Sequence, residues 1–162
     1  MKNRVVGVVG VVVVLGVAMV WASAAVLAQS DPHVGTWVLN LEKSKFAAGT
    51  APKSQRSVYA VAGKGFKVTT ATVNAAGATV NTEYTAEADG KDYPVKGNPD
   101  WDTTALKRVD ANTVEFTRKK GGKVVQTARS VVAADGKSRT VTVTGVNAQG
   151  QKLNTVSVWI RQ

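Results

Sequence analysis

The sequence predicts an all-β protein, a single antiparallel up-and-down β-barrel of about eight to ten strands behind an N-terminal leader. Three observations predict it. Val and Thr, whose branching at Cβ suits a pleated surface, dominate the chain after residue 30. Turn signals recur at short intervals: Gly63-Lys64-Gly65, Asn74-Ala75-Ala76-Gly77, Asp89-Gly90, Asp110-Ala111-Asn112, Gly121-Gly122, Asp135-Gly136 and Asn147-Ala148-Gln149-Gly150. Between them, runs of strand length alternate with a period of two.

The leader comes first. Lys2 and Arg4 precede an apolar run from Val5 to about Val20, and small residues follow Trp21. This is the order of a secretory signal. Cleavage after Ala28, with Val26 and Ala28 at the small-residue positions, gives a signal peptide over 1–28 and one mature domain over 29–162. Cleavage after Ala24 is the second choice, and a retained anchor is the alternative, since Val5–Ala28 approaches the ~20 residues that span a bilayer. The expected location is exported, periplasmic or secreted, in a bacterial host. The chain has no Cys, so the exported domain is held by sheet pairing and packing without disulfides.

The expected strands are Thr36–Leu41, Gln55–Ala62, Phe66–Asn74, Thr79–Ala88, Asp92–Val95, Thr103–Val109, Thr113–Lys119, Lys123–Ala133, Arg139–Val146 and Leu153–Arg161. Short turns make consecutive strands antiparallel neighbours. A meander with one buried face closes most naturally on itself, because closure removes exposed edges. Alternation groups Phe66, Val68, Thr70 and Thr72 on one face, and Val80, Thr82, Tyr84 and Ala86 on another. It sets Val114 and Phe116 against Thr113, Glu115 and Thr117. On the last strand it sets Val156, Val158 and Ile160 against Thr155, Ser157 and Trp159. Which face points inward is open at this stage, because a slip of one residue inverts every face. Two stretches break the rhythm: Glu42–Pro52, where one helical turn around Ser44–Ala47 is expected, and the proline loop Gly97–Asp102, which carries Trp101.

Lys and Arg number 21 against 11 Asp and Glu, and loss of Lys2 and Arg4 with the leader leaves +8. The positive residues are dispersed except for Arg118-Lys119-Lys120 with Lys123, which reads as a soluble hairpin tip. Such a surface admits contact with an anionic envelope polymer or membrane surface. Nucleic-acid binding is not expected, since no face interleaves aromatic and basic residues.

No enzyme is expected. The mature chain has one His, His33, and general acid–base work needs an oriented partner. No zinc spacing occurs. Asn98, Asp100 and Asp102 offer too few oxygens for a calcium loop, and Gly63-Lys64-Gly65 lacks the length of a phosphate loop. Glu83 and Glu87 share a face, as a glycosidase pair would, but acids so placed on a strand face water more often. No cofactor and no metal are expected.

The candidate ligand-binding residues are therefore aromatic: Tyr59, Phe66, Tyr84, Trp101 and Phe116, with Thr and Ser supplying polar points. The ligand would be small and apolar or amphipathic, held in the lumen of a monomer. A barrel filled by its own side chains, with a basic surface for envelope contact, is the rival reading.

Gly35-Thr36-Trp37 at the first strand, the serial meander after it and the ending Val158-Trp159-Ile160-Arg161 resemble the lipocalin and fatty-acid-binding (calycin) barrels, including small exported bacterial lipocalin-like proteins. The resemblance covers nearly all of 34–162 and is closer to the ten-stranded fatty-acid-binding pattern. It implies that Trp37 and Arg161 close one end of the barrel, the cation stacking on the ring. The sequence departs from the pattern in three ways. The helical lid is missing or shrunken at Glu42–Pro52, lipocalin disulfides are absent, and Ser157-Val158-Trp159 stands where fatty-acid-binding proteins carry Arg-x-Tyr.

Overall fold

A computed structural model describes residues 31–162; the expected leader, 1–28, lies outside the described residues. The strands are β1 (Gly35–Lys45), β2 (Ser54–Ala62), β3 (Gly65–Val73), β4 (Thr79–Glu87), β5 (Asp89–Lys96), β6 (Thr103–Asp110), β7 (Thr113–Lys120), β8 (Lys123–Val132), β9 (Ser138–Val146) and β10 (Lys152–Arg161). Each strand pairs with its neighbour in sequence, and β1 pairs with β10 to close the barrel. All pairings are antiparallel. The ladder is thinnest between β4 and β5, where Glu83↔Lys96 and Tyr84↔Val95 are the paired positions. Pro94 in β5 has no N–H to give to a ladder.

The turn expected at Ser44–Ala47 is not formed. β1 runs on to Lys45, with a bulge that sets Asn40 opposite Val158 but Lys45 opposite Val156. Ser44 holds the bulge: its hydroxyl donates to Asn40 O (2.5 Å) and accepts from Val158 N (2.9 Å). The hydroxyl completes the β10 ladder where the strand backbone has bulged away, so extended backbone wins over a helical turn.

The faces are decided by closure. Phe66, Val68, Tyr84, Ala86, Val114 and Phe116 are buried inside, along with Trp37, Leu39 and Leu106. On β10 the inward face is the polar one: Thr155, Ser157 and Trp159 are buried, and Val156 is 36% exposed. Ser157 Oγ donates to Val141 O (3.1 Å) and accepts from Trp159 Nε1 (3.0 Å), so the inward hydroxyl is satisfied.

Residues 31–34 fold across one end as a floor. Trp37, fully buried, donates from Nε1 to His33 O (2.9 Å). The Arg161 guanidinium lies over the Trp37 ring at 4.4 Å. It donates from Nε to Gly136 O (2.6 Å), from Nη1 to Val34 O (2.5 Å) and from Nη2 to Pro32 O. Gly35 makes room: its φ is +133°, and a Cβ there would stand 2.7 Å from Arg161 Nη1. The Gly-x-Trp triplet thus has a steric cause. The sequence places His33 as a stray residue before β1; the structure buries it completely, packed on Phe66 (ring centroids 5.9 Å apart), with Asp31 paired to Arg108 beside it.

Trp37→Ala is expected to destabilise by ~3–5 kcal/mol through loss of a large buried ring. Arg161→Ala should cost less and be coupled to it. Chemical denaturation in a double-mutant cycle checks the pair, and additive effects would refute the stacking.

His33 carries a pH prediction. Burial lowers its pKa below the ordinary 6.5; Asp31 and a Ser130 backbone bond oppose the shift, and Arg108 and Arg139 add to it. The unfolded histidine therefore takes up a proton more readily than the folded one, and stability should fall as pH drops below about 6.5. Urea midpoints at pH 7.5 and 5 should differ less in His33→Gln than in the parent. An equal drop in both removes His33 as the cause.

Candidate functional site

The end opposite the floor is open. Its rim is built from the β1–β2 loop (Phe46, Gly49, Thr50, Pro52), the β3–β4 turn, the Asn98–Trp101 loop and the Asn147–Gln151 turn. Inside lies a cavity of about 490 Å³, within the ~300–1,000 Å³ range of small-molecule sites. Its walls mix aromatic rings with hydroxyls and amides. β2 and β3 tie their polar groups together, Ser57 Oγ to Thr70 Oγ1 (2.7 Å) and Gln55 Nε2 to Thr72 Oγ1 (2.9 Å), and Asn98 in the β5–β6 loop donates from Nδ2 to Thr82 Oγ1 on β4 (3.0 Å).

Of the five aromatic candidates, Tyr59, Tyr84 and Trp101 line this cavity. Phe66 and Phe116 lie outside the lining. Phe66 packs against Tyr59 (centroids 5.6 Å apart) and His33. Phe116 is buried in the same core. Both rings fill the barrel below the cavity or beside it. Trp101, expected in a polar loop, turns inward, is buried and meets Tyr84 edge-on at 6.0 Å. The loop's acids are used locally. Asp100 accepts from Ala148 N (2.8 Å) and Asp102 from Gly121 N (2.9 Å), which pins the loop to the neighbouring turns. Among the described residues no three metal-ligating side chains gather. Glu83 is on the outer face, 3.6 Å from Lys67.

Sequence reasoning missed the two cations of the lumen. Arg118, assigned above to a soluble hairpin tip, points inward. Its guanidinium lies 4.6 Å from the Trp101 centroid, and Nη1 donates to Gln126 Oε1 (3.0 Å). Gln126 is fixed in turn by Val146 O (3.1 Å). Arg139 is 2% exposed and stands among three rings, Tyr59 at 4.5 Å, Trp159 at 4.8 Å and Trp37 at 5.0 Å. Its Nε and Nη1 find no acceptor, nor does Arg118 Nε. Both side chains line the cavity. The signal was present: Arg118 keeps the parity of Val114 and Phe116, and Arg139 that of Val141 and Val143.

The field of these cations shows in their neighbours. Burial lowers the Arg118 pKa, while Tyr84, Tyr59 and Asp100 oppose the shift; a guanidinium stays charged regardless. Burial holds the Tyr84 phenol well above its ordinary 10.0, Tyr59 pushes the same way, and Arg118 and Arg139 pull it down. The site is a cationic, hydrogen-bonding chamber with aromatic walls.

No protein-family profile matches the chain, and no curated protein sequence matches it. Among solved structures, the zebrafish ileal bile acid-binding protein complexed with cholic acid is similar at a TM-score of 0.45 and 10% identity, over 81% of this chain and 99% of that one. The fold class rests on the strand order itself, a closed up-and-down barrel of ten antiparallel strands.

Tyr84 gives a direct test of the chamber's burial. Absorbance titration of the folded protein should show one phenol that ionises only well above pH 10, the ordinary value. Tyr84→Phe should remove that step, and a parent titration complete near the ordinary value would show the phenol open to water.

Proposed function

We propose that this chain is a non-enzymatic, exported binding protein that carries one small amphipathic molecule in its barrel as a monomer. The observation that carries this reading is the cavity: about 490 Å³ of open lumen, closed at the floor and open at the rim. A barrel filled by its own side chains would have no such space. Rings for an apolar body and anchored hydroxyls and amides for its polar points share one wall, the composition expected of a ligand pocket. Export rests on the leader pattern in the sequence. Contact with an anionic envelope surface has only the dispersed basic exterior behind it, and Arg118 no longer belongs to that exterior.

Native mass spectrometry of the protein purified from its own host's envelope, with lipid extraction of the same sample, is the test. A stoichiometric co-purified molecule is expected. Thr70→Trp, which would fill the middle of the cavity, should abolish it while leaving the far-ultraviolet circular dichroism of the barrel unchanged. A clean unliganded mass, with no uptake of fluorescent fatty-acid or retinoid probes, would set the carrier reading aside.

A further inference from the structure

We infer that residues 31–34 form an acid-released stopper: a proton taken up by His33 swings this lead outward about Gly35 and unseals the closed end of the barrel. The inference stands apart from the carrier reading and from the identity of any ligand.

The lead is tied to the barrel by side chains rather than by a ladder. Pairing of β1 with its two neighbours begins at Gly35, opposite Tyr59, and at Trp37, opposite Arg161. The backbone bond of the lead itself, Val34 N to Asp31 O (2.9 Å), is internal. Three anchors cross to the barrel. Trp37 Nε1 donates to His33 O, Arg161 holds the Pro32 and Val34 carbonyls, and Asp31 pairs with Arg108. A segment so attached opens at lower cost than the strands beneath it. Gly35, at φ +133°, gives the backbone freedom of a hinge between the lead and β1.

His33 is the fourth hold, and it is the one that titrates near neutral pH. Its ring is fully buried against Phe66 of β3. It faces Asp31 from its own segment (Oδ1 3.4 Å from Nδ1), Arg108 from β6 and Arg139 from β9, while β8 presents the Ser130 backbone. Asp31 is already engaged by Arg108 and by the backbone N–H of His33 (2.9 Å). Neutral imidazole suits this place. A protonated ring would put a third cation into a cluster with one carboxylate, and would carry its own desolvation cost. Outside, the imidazolium is solvated. Acid therefore favours the swung-out lead, and the balance moves as pH falls below the ordinary histidine value of 6.5, because burial holds the seated ring lower. When the lead leaves, Trp37 loses the acceptor of its indole N–H and Arg161 loses two of its three carbonyls. The ladders, which start at Gly35, stay paired.

Hydrogen exchange of the Trp37 indole N–H tests this, followed by NMR on the purified, tag-free protein and expressed as a protection factor at pH 7.5 and 5. Protection should fall at least about threefold, and uptake of a single proton allows about thirtyfold at most. Amides of the β7–β8 ladder should keep their protection within about twofold, as a local opening requires. His33→Gln should hold the Trp37 value within about twofold across the same range. If that variant does not fold, His33→Leu is read in the same way, and if neither folds, the contrast in the parent between Trp37 and the ladder decides. A smaller fall in the parent, or the same fall in a folded variant without the histidine, overturns the stopper. So does a loss that the β7–β8 ladder shares equally, which is unfolding of the whole barrel.

Discussion

Closure of the sheet at the seam between β1 and β10 is the constraint on which the rest of this structure depends. The domain has no disulfide and no metal cluster among its described residues. An open ten-stranded meander would leave two unpaired edges. The floor secures that seam. Arg161, at the end of the last strand, gathers the carbonyls of Pro32, Val34 and Gly136 and covers Trp37 on the first. One guanidinium thereby links the lead, the first strand, the last strand and the β8–β9 turn. The absence of a side chain at Gly35 is what lets it approach.

Closure also explains an inversion of the usual pattern. An antiparallel sheet over a packed core puts apolar residues in and polar residues out. Here β10 turns Thr155, Ser157 and Trp159 inward and leaves Val156 to solvent. Across the lumen, Ser57, Thr70 and Thr82 do the same from β2, β3 and β4. Bulky inward side chains would have filled the barrel. Small hydroxylated ones leave a chamber, and Ser57, Thr70, Thr82 and Ser157 still find hydrogen-bond partners from a neighbouring strand or loop. The lower half, around Phe66, Leu106 and Val114, supplies the packed core. The upper half is kept open at the cost of apolar burial.

Into that open half the fold brings two arginines that share no sequence motif. Arg118 and Arg139 lie on strands separated by β8, and each arrives by the parity of its own strand. The aromatic residues around them are equally scattered: Trp37, Tyr59, Trp101 and Trp159 come from four different segments. A local reading of Arg118-Lys119-Lys120 sees a basic turn. It has no means of separating the one cation that points inward from those that face water. His33 illustrates the same limit, because its burial depends on a lead segment folding back under residues far along the chain.

The sequence by itself determined the ten strands, nearly all of their boundaries and their order, because period-two alternation and Asp-Gly or Gly-Gly turns are local and steric in origin. The pairing of Trp37 with Arg161 at a closed end was implied only by the resemblance to calycin barrels, and the stacking at 4.4 Å is a feature of the tertiary structure. The sequence did not determine the extended course of β1 past Leu41, which depends on a Ser44 hydroxyl meeting a strand more than a hundred residues later. Nor did it determine which face of each strand is inside, because alternation defines two faces and only the register of the closed barrel assigns one to the lumen. That assignment created the chamber and put into it two guanidinium groups that form no salt bridge with any described carboxylate, and so the tertiary structure decided which groups line the lumen.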